Sequence, residues 1–143
     1  MSVTRYPAVG PVFWTPIRLR ALRHGLWFGA VAALIIIASN LTGARFGVDA
    51  HAYWLTSHRD DLYAIAPRHL DAYQYSPAFA QAIWPLTLLP WPAFCALWLG
   101  AVAAAYLWLL APLPLEWRLP LLLLCGIDVV AGNVWAFFAL ILV

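Results

Sequence analysis

From Ala72 to Leu115 the chain carries no charged side chain and no histidine. A folded domain in water needs charged groups over its surface, so a stretch this long without any is solvated by lipid. The rest of the chain agrees: 65% of its 143 residues are hydrophobic and 10% are charged, where soluble domains carry about 25%. There is no basic tract of the kind that binds nucleic acid, and two cysteines make no disulfide scaffold. So apolar a composition also excludes a disordered chain. The fold class this implies is all-α, a polytopic transmembrane helical bundle in the cell membrane.

The few charges mark where the chain leaves the bilayer. All eight basic residues are Arg, and Arg5, Arg18, Arg20 and Arg23 precede the first apolar run. Arg45, Asp49, Arg59, Asp60, Asp61, Arg68 and Asp71 form a second group; beyond Leu115 stand only Glu116, Arg118 and Asp128. The segments this implies are a cytoplasmic head at 1–25, a first span at 26–44, an outer loop at 45–77 and further spans over 78–143. The positive-inside rule puts the N-terminus in the cytoplasm and the loop outside. A cleaved signal peptide fits less well, because the head is long and more apolar spans follow. Leu89-Pro90-Trp91-Pro92 divides the later apolar stretch, giving a short second span from Pro77 to Leu89 and a third from Ala93 to Leu110. A fourth is expected to about Val130, then a turn at Gly132-Asn133 and the start of a fifth. The chain stops inside an apolar run, as the N-terminal part of a longer protein would.

The outer loop holds the groups able to do chemistry, and residue by residue they admit two readings. Asp49 is expected at the membrane–water boundary, where a carboxylate can act as a general base on a lipid-linked substrate, or it caps the helix that follows. Arg45, Arg59 and Arg68 can grip phosphate through their guanidinium forks, or pair with Asp60, Asp61 and Asp71 and with lipid headgroups. His51, His58 and His69 match no compact zinc spacing, so no metal and no cofactor is expected. Tyr73 and Tyr75 read as interfacial anchors and Pro77 as a helix start. Cys95 and Cys125 lie in apolar segments and read as small buried hydrophobes.

Gly47-Val48-Asp49 with Tyr53, Asp61-Leu62-Tyr63, Tyr75-Ser76-Pro77, Trp84-Pro85-Leu86-Thr87-Leu88-Leu89-Pro90 and Ala96-Leu97-Trp98 stand in an order that resembles one family. It is the bacterial polyprenyl-phosphate-mannose-dependent mannosyltransferases of the GT-C membrane glycosyltransferases, and Gly132-Asn133 resembles their Gly-Gln. Ser76, Asn133 and Trp135 depart from the usual Pro, Gln and Asn, and family members are longer. The resemblance implies a GT-C-like bundle whose first outer loop supplies the base, here Asp49. It implies a polyprenyl-phosphate sugar as donor, a glycan or glycolipid as acceptor, and inversion at the anomeric carbon. Arg45, His51, Arg59 and Arg68 are then the groups available to the phosphate, with Tyr53 and Tyr75 in the substrate-binding set. A non-catalytic small membrane protein, or a transporter fragment working through Asp128, are the rival expectations.

Overall fold

A computed structural model of the chain describes residues 15–42 and 46–142, apart from the side chains of Asn40 and Thr42. Helices are the regular structure of these residues: α1 (Pro16–Thr42), α2 (Val48–Trp54) continued by a single 3-10 turn (Leu55–Ser57), α3 (Pro77–Thr87), α4 (Trp91–Leu109), α5 (Leu115–Ala131) and α6 (Trp135–Ile141).

The first helix begins earlier than the apolar pattern suggests. Arg and Leu are good helix formers, and no proline interrupts the run from Ile17 to Leu26. Thr15 supplies the cap, its Oγ1 accepting from the Arg18 N–H at 3.3 Å, and Pro16 takes the first helical position. The window Pro16–Ser39 has a mean hydropathy of 1.8 and is long enough to cross a bilayer; so is Trp91–Leu109, at 1.7. Phe28, Ile35 and Leu41 on α1 and Trp108 on α4 face outward, as side chains meeting lipid do.

Contacts fix the direction of the helices. Arg23 of α1 pairs with Glu116 at the start of α5 at 3.0 Å, Gly29 lies against Leu124, and Ile37 lies against Gly126. Residue numbers rise together on both helices, so α1 and α5 run parallel. On α4, Trp98 reaches Gly132 and Tyr106 reaches Asp128, so α4 runs antiparallel to α5. Arg18, Arg20, Arg23 and Arg118 are thus gathered at one end of the bundle.

The 46–90 segment forms a layer at the opposite end. Here the structure corrects the expected second span: α3 has 11 residues, about 16 Å of helix, against a hydrocarbon core of about 30 Å. It packs against α2 and the 3-10 turn. Ser76 caps it, Pro77 opens it, and the buried Thr87 closes it with Oγ1 on the Trp84 carbonyl at 2.8 Å. From this layer α4 leads away, and α5 returns to it. The expected fifth span is also altered, because α6 leaves α5 at an angle of 119°, a broken span or a re-entrant turn.

The layer and the bundle meet at two glycines. Gly132 ends α5 in the left-handed conformation (φ +78°), with its N–H and that of Asn133 both on the Asp128 carbonyl. A Cβ there would sit 2.6 Å from the Ala50 Cβ. Gly47, also left-handed (φ +68°), starts α2 and donates its N–H to the Val130 carbonyl at 2.7 Å. Around this contact lies an aromatic core: Tyr53, Phe94 and Trp98 are buried, with Phe79 and Phe137 packed on them.

Two expectations follow. Gly132→Ala adds a clash to a backbone penalty of roughly 1–3 kcal/mol, so it lowers the thermal midpoint in detergent. In a chain with Cys95 and Cys125 replaced by Ala, single cysteines at His58 and Leu88 react with a membrane-impermeant maleimide from the same side, and one at Leu115 from the other. Labelling of positions 58 and 88 from opposite sides would mean that α3 crosses.

Candidate functional site

Asp49 enters the first turn of α2 but does not cap it. Gly47 holds the cap position, and no side chain bonds the free N–H groups there. The Asp49 carboxylate therefore stays available to the surface. Tyr53 follows one turn later on the same face. Opposite stand Gln74 and Tyr75, from the segment that returns to α3, and Asn133, from the break between α5 and α6. With Ala52 and Ala72, these side chains line a cleft of about 200 Å³.

Asp49 also lines a second cleft, of about 230 Å³, that shares Ala52, Ala72 and Gln74 with the first. Its other wall carries Arg68, His69 and Asp71. The carboxylate thus stands between a cleft walled by neutral hydrogen-bonding groups and one walled by a guanidinium and an imidazole. Burial, and then the negative charge of Asp128, push the Asp49 carboxyl above its ordinary value. A carboxylate shifted this way is a better proton acceptor than a free one.

The neighbouring groups are held firmly. Tyr53 donates to the Tyr75 hydroxyl at 3.3 Å, and Tyr63 donates to the Tyr75 carbonyl at 2.7 Å. Burial, followed by the Tyr75 hydroxyl, raises the Tyr53 phenol, so it remains neutral near pH 7 and acts only as a hydrogen-bonding group. Burial, and then Tyr63, push Tyr73 up to about 12. Asn133 Oδ1 is a buried acceptor with no hydrogen-bond partner among the described residues, and Asn133 belongs to the wall of the first cleft. A buried acceptor left in this state favours a ligand that brings a donor.

The loop between the 3-10 turn and Tyr73 is tied down by Asp71. Its carboxylate meets His51 Nδ1 at 2.6 Å, and its carbonyl accepts from Arg59 Nη1 at 2.9 Å. Both Arg68 (φ +73°) and Asp71 (φ +63°) adopt the left-handed backbone, which a side chain such as Arg occupies only when its surroundings enforce it. The two bonds hold Asp71 in its turn, and Arg68 lines the wall beside Asp49.

The sequence-derived site residues divide accordingly. Asp49, Tyr53 and Tyr75 share one cleft, and Arg68 shares the other with Asp49. His51 is engaged with Asp71, stacked on Trp54 and edge-on to Trp91, while Arg59 lines a separate cleft. Arg45 lies outside the described residues. Asp128 lies in the last turn of α5, its Oδ2 accepting from the Tyr106 hydroxyl at 2.7 Å. Gln74 and His69 had no signal that tied them to Asp49, since only the folded loop brings them there. Among the described residues, no three His, Cys, Asp or Glu side chains are placed to hold a metal ion.

No protein-family model, curated protein or solved structure matches the chain.

The Asp49 shift has a thermodynamic consequence. Its folded-state pKa exceeds the unfolded value, so the folded form binds more protons between the two. Stability then falls as pH rises from about 4 through the folded-state titration of Asp49. Thermal midpoints in detergent across pH 4–8 are expected to show that slope, and Asp49→Asn is expected to flatten it.

Proposed function

We propose that the chain is part of a GT-C-type glycosyltransferase that moves a sugar from a polyprenyl-phosphate donor to a glycan or glycolipid acceptor at the outer membrane face. Asp49 takes the proton from the acceptor hydroxyl. The hydroxyl oxygen forms a bond to the anomeric carbon of the donor, the bond from that carbon to the phosphate oxygen breaks, and polyprenyl phosphate leaves with the electron pair. The configuration inverts. Mannose is the sugar that the family resemblance favours.

The observation that carries this reading is the position of Asp49 on the wall common to two clefts. One offers the Asn133 acceptor and the tyrosines to a hydroxylated acceptor. The other offers Arg68 and His69 to the leaving phosphate, whose developing charge needs such groups. The arginines support the sidedness. Arg18, Arg20, Arg23 and Arg118 lie at the end of the bundle away from Asp49, which the positive-inside rule makes the cytoplasmic end in a multi-pass protein of the cell membrane.

A second reading has one observation in its favour. Asp128 is a carboxylate within α5, a helix of apolar character, hydrogen-bonded to Tyr106 of α4, as an ionisable group on a transport path would be. The two readings separate by mutation. Membranes carrying the full-length gene product are assayed for sugar transfer from polyprenyl-phosphate-mannose. Asp49→Asn is expected to lower the rate by about 100- to 10,000-fold, the loss that follows removal of a general base. Unchanged transfer in Asp49→Asn would overturn the proposal, and loss of solute flux in Asp128→Asn alone would favour the transporter.

A further inference from the structure

The outer layer contains another cleft, of about 270 Å³, between the 3-10 turn, the loop after it and one face of α3. It shares no residue with the two clefts around Asp49. From α3 come Pro77, Ala80, Gln81 and Trp84, which recur at helical spacing and so form a single stripe. From the facing loop come Thr56, Arg59, Asp60 and Leu62.

We propose that this cleft binds a neutral pyranose ring. A sugar ring has an apolar face of C–H groups and a rim of hydroxyls, each both donor and acceptor. The cleft matches both parts. Trp84, a residue 53% exposed, lines the cleft with its large aromatic side chain, while its own carbonyl is already occupied by Thr87. Around that face stand one fixed cationic donor (Arg59), one anionic acceptor (Asp60) and one amide that is both (Gln81). Planar groups of this kind pair with two adjacent hydroxyls at once.

Arg59 is set in place before any ligand arrives. Nη1 is spent on the Asp71 carbonyl at 2.9 Å, which orients the guanidinium and leaves its remaining N–H groups for the cleft. A site already ordered costs less to fill. The volume is below that of pockets that enclose drug-sized molecules, which suits a single ring. Arg59 and Asp60 together carry no net charge, so a neutral ligand fits better than a phosphate or a carboxylate.

This inference goes beyond the proposed transfer reaction and does not need it: the ring is recognised without being altered. The test is saturation-transfer NMR on the full chain in detergent, with the methyl glycosides of mannose, glucose and galactose as probes. At least one glycoside is expected to receive saturation from the protein. Trp84→Ala is expected to weaken binding about tenfold, the scale of a lost aromatic stack, while Trp84→Phe, which keeps a ring face, stays within a few fold of wild type. Circular dichroism checks that both variants keep their helices. Asp49→Asn is expected to leave the sugar signal intact. No saturation of any glycoside by the wild-type chain would overturn the proposal. So would equal binding by wild type and a folded Trp84→Ala, or a signal lost in Asp49→Asn and kept in Trp84→Ala.

Discussion

Everything at the end of the bundle that carries Asp49 depends on how closely α2 approaches the C-terminus of α5. Gly132 touches Ala50, and Gly47 hands its N–H to Val130. A Cβ at Gly132 would meet the Ala50 Cβ at 2.6 Å, and one at Gly47 would crowd Cys95 and Trp91, on top of the cost of a left-handed backbone. The consequence is geometric. A helix that rises through the bundle ends against a short helix lying across it, and the side chains just beyond the two junctions, Asp49 and Asn133, face one cleft. Trp98 strengthens the join by donating its indole N–H to the Gly132 carbonyl at 2.8 Å, in the middle of the aromatic core. Backbone groups at a helix end buried among aromatics must find partners, and here the indole and the Schellman-type turn supply them.

The second organising element is Asp71. One residue holds His51 through its carboxylate and Arg59 through its carbonyl, so a loop with little regular structure keeps a defined course over α2. That course delivers Arg68 and His69 to the cleft beside Asp49 and leaves Arg59 in the separate Trp84 cleft. Two arginines that look equivalent in sequence therefore serve different clefts.

The long helices were legible because apolar windows of eighteen residues leave few alternatives, and the breaks at Leu89-Pro90-Trp91-Pro92 and Gly132-Asn133 follow from proline and glycine backbone chemistry. The fate of Pro77–Thr87 was not legible. Hydropathy reports what a segment can be buried in, and not whether it crosses a bilayer or lies against its own outer layer. Its length was the signal that pointed the right way. The site was read in part. Asp49, Tyr53 and Tyr75 could be singled out from a charged loop between apolar spans. Their meeting with Asn133 could not, because dozens of residues separate each of them from it. The part played by His51 was hidden for a related reason: its partner Asp71 competes in sequence with Asp60 and Asp61, and only the left-handed turn at Asp71 selects it.

The measurement that tests this account most directly is a through-space contact between the Ala50 methyl and the Gly132 Cα, by solid-state NMR on the protein in lipid bilayers. The account predicts a strong cross-peak there, alongside the Gly29–Leu124 contact that reports α1 against α5. A spectrum that retains the Gly29–Leu124 contact but lacks the one between Ala50 and Gly132 would contradict it. The bundle would then be intact while Asp49 and Asn133 stood apart.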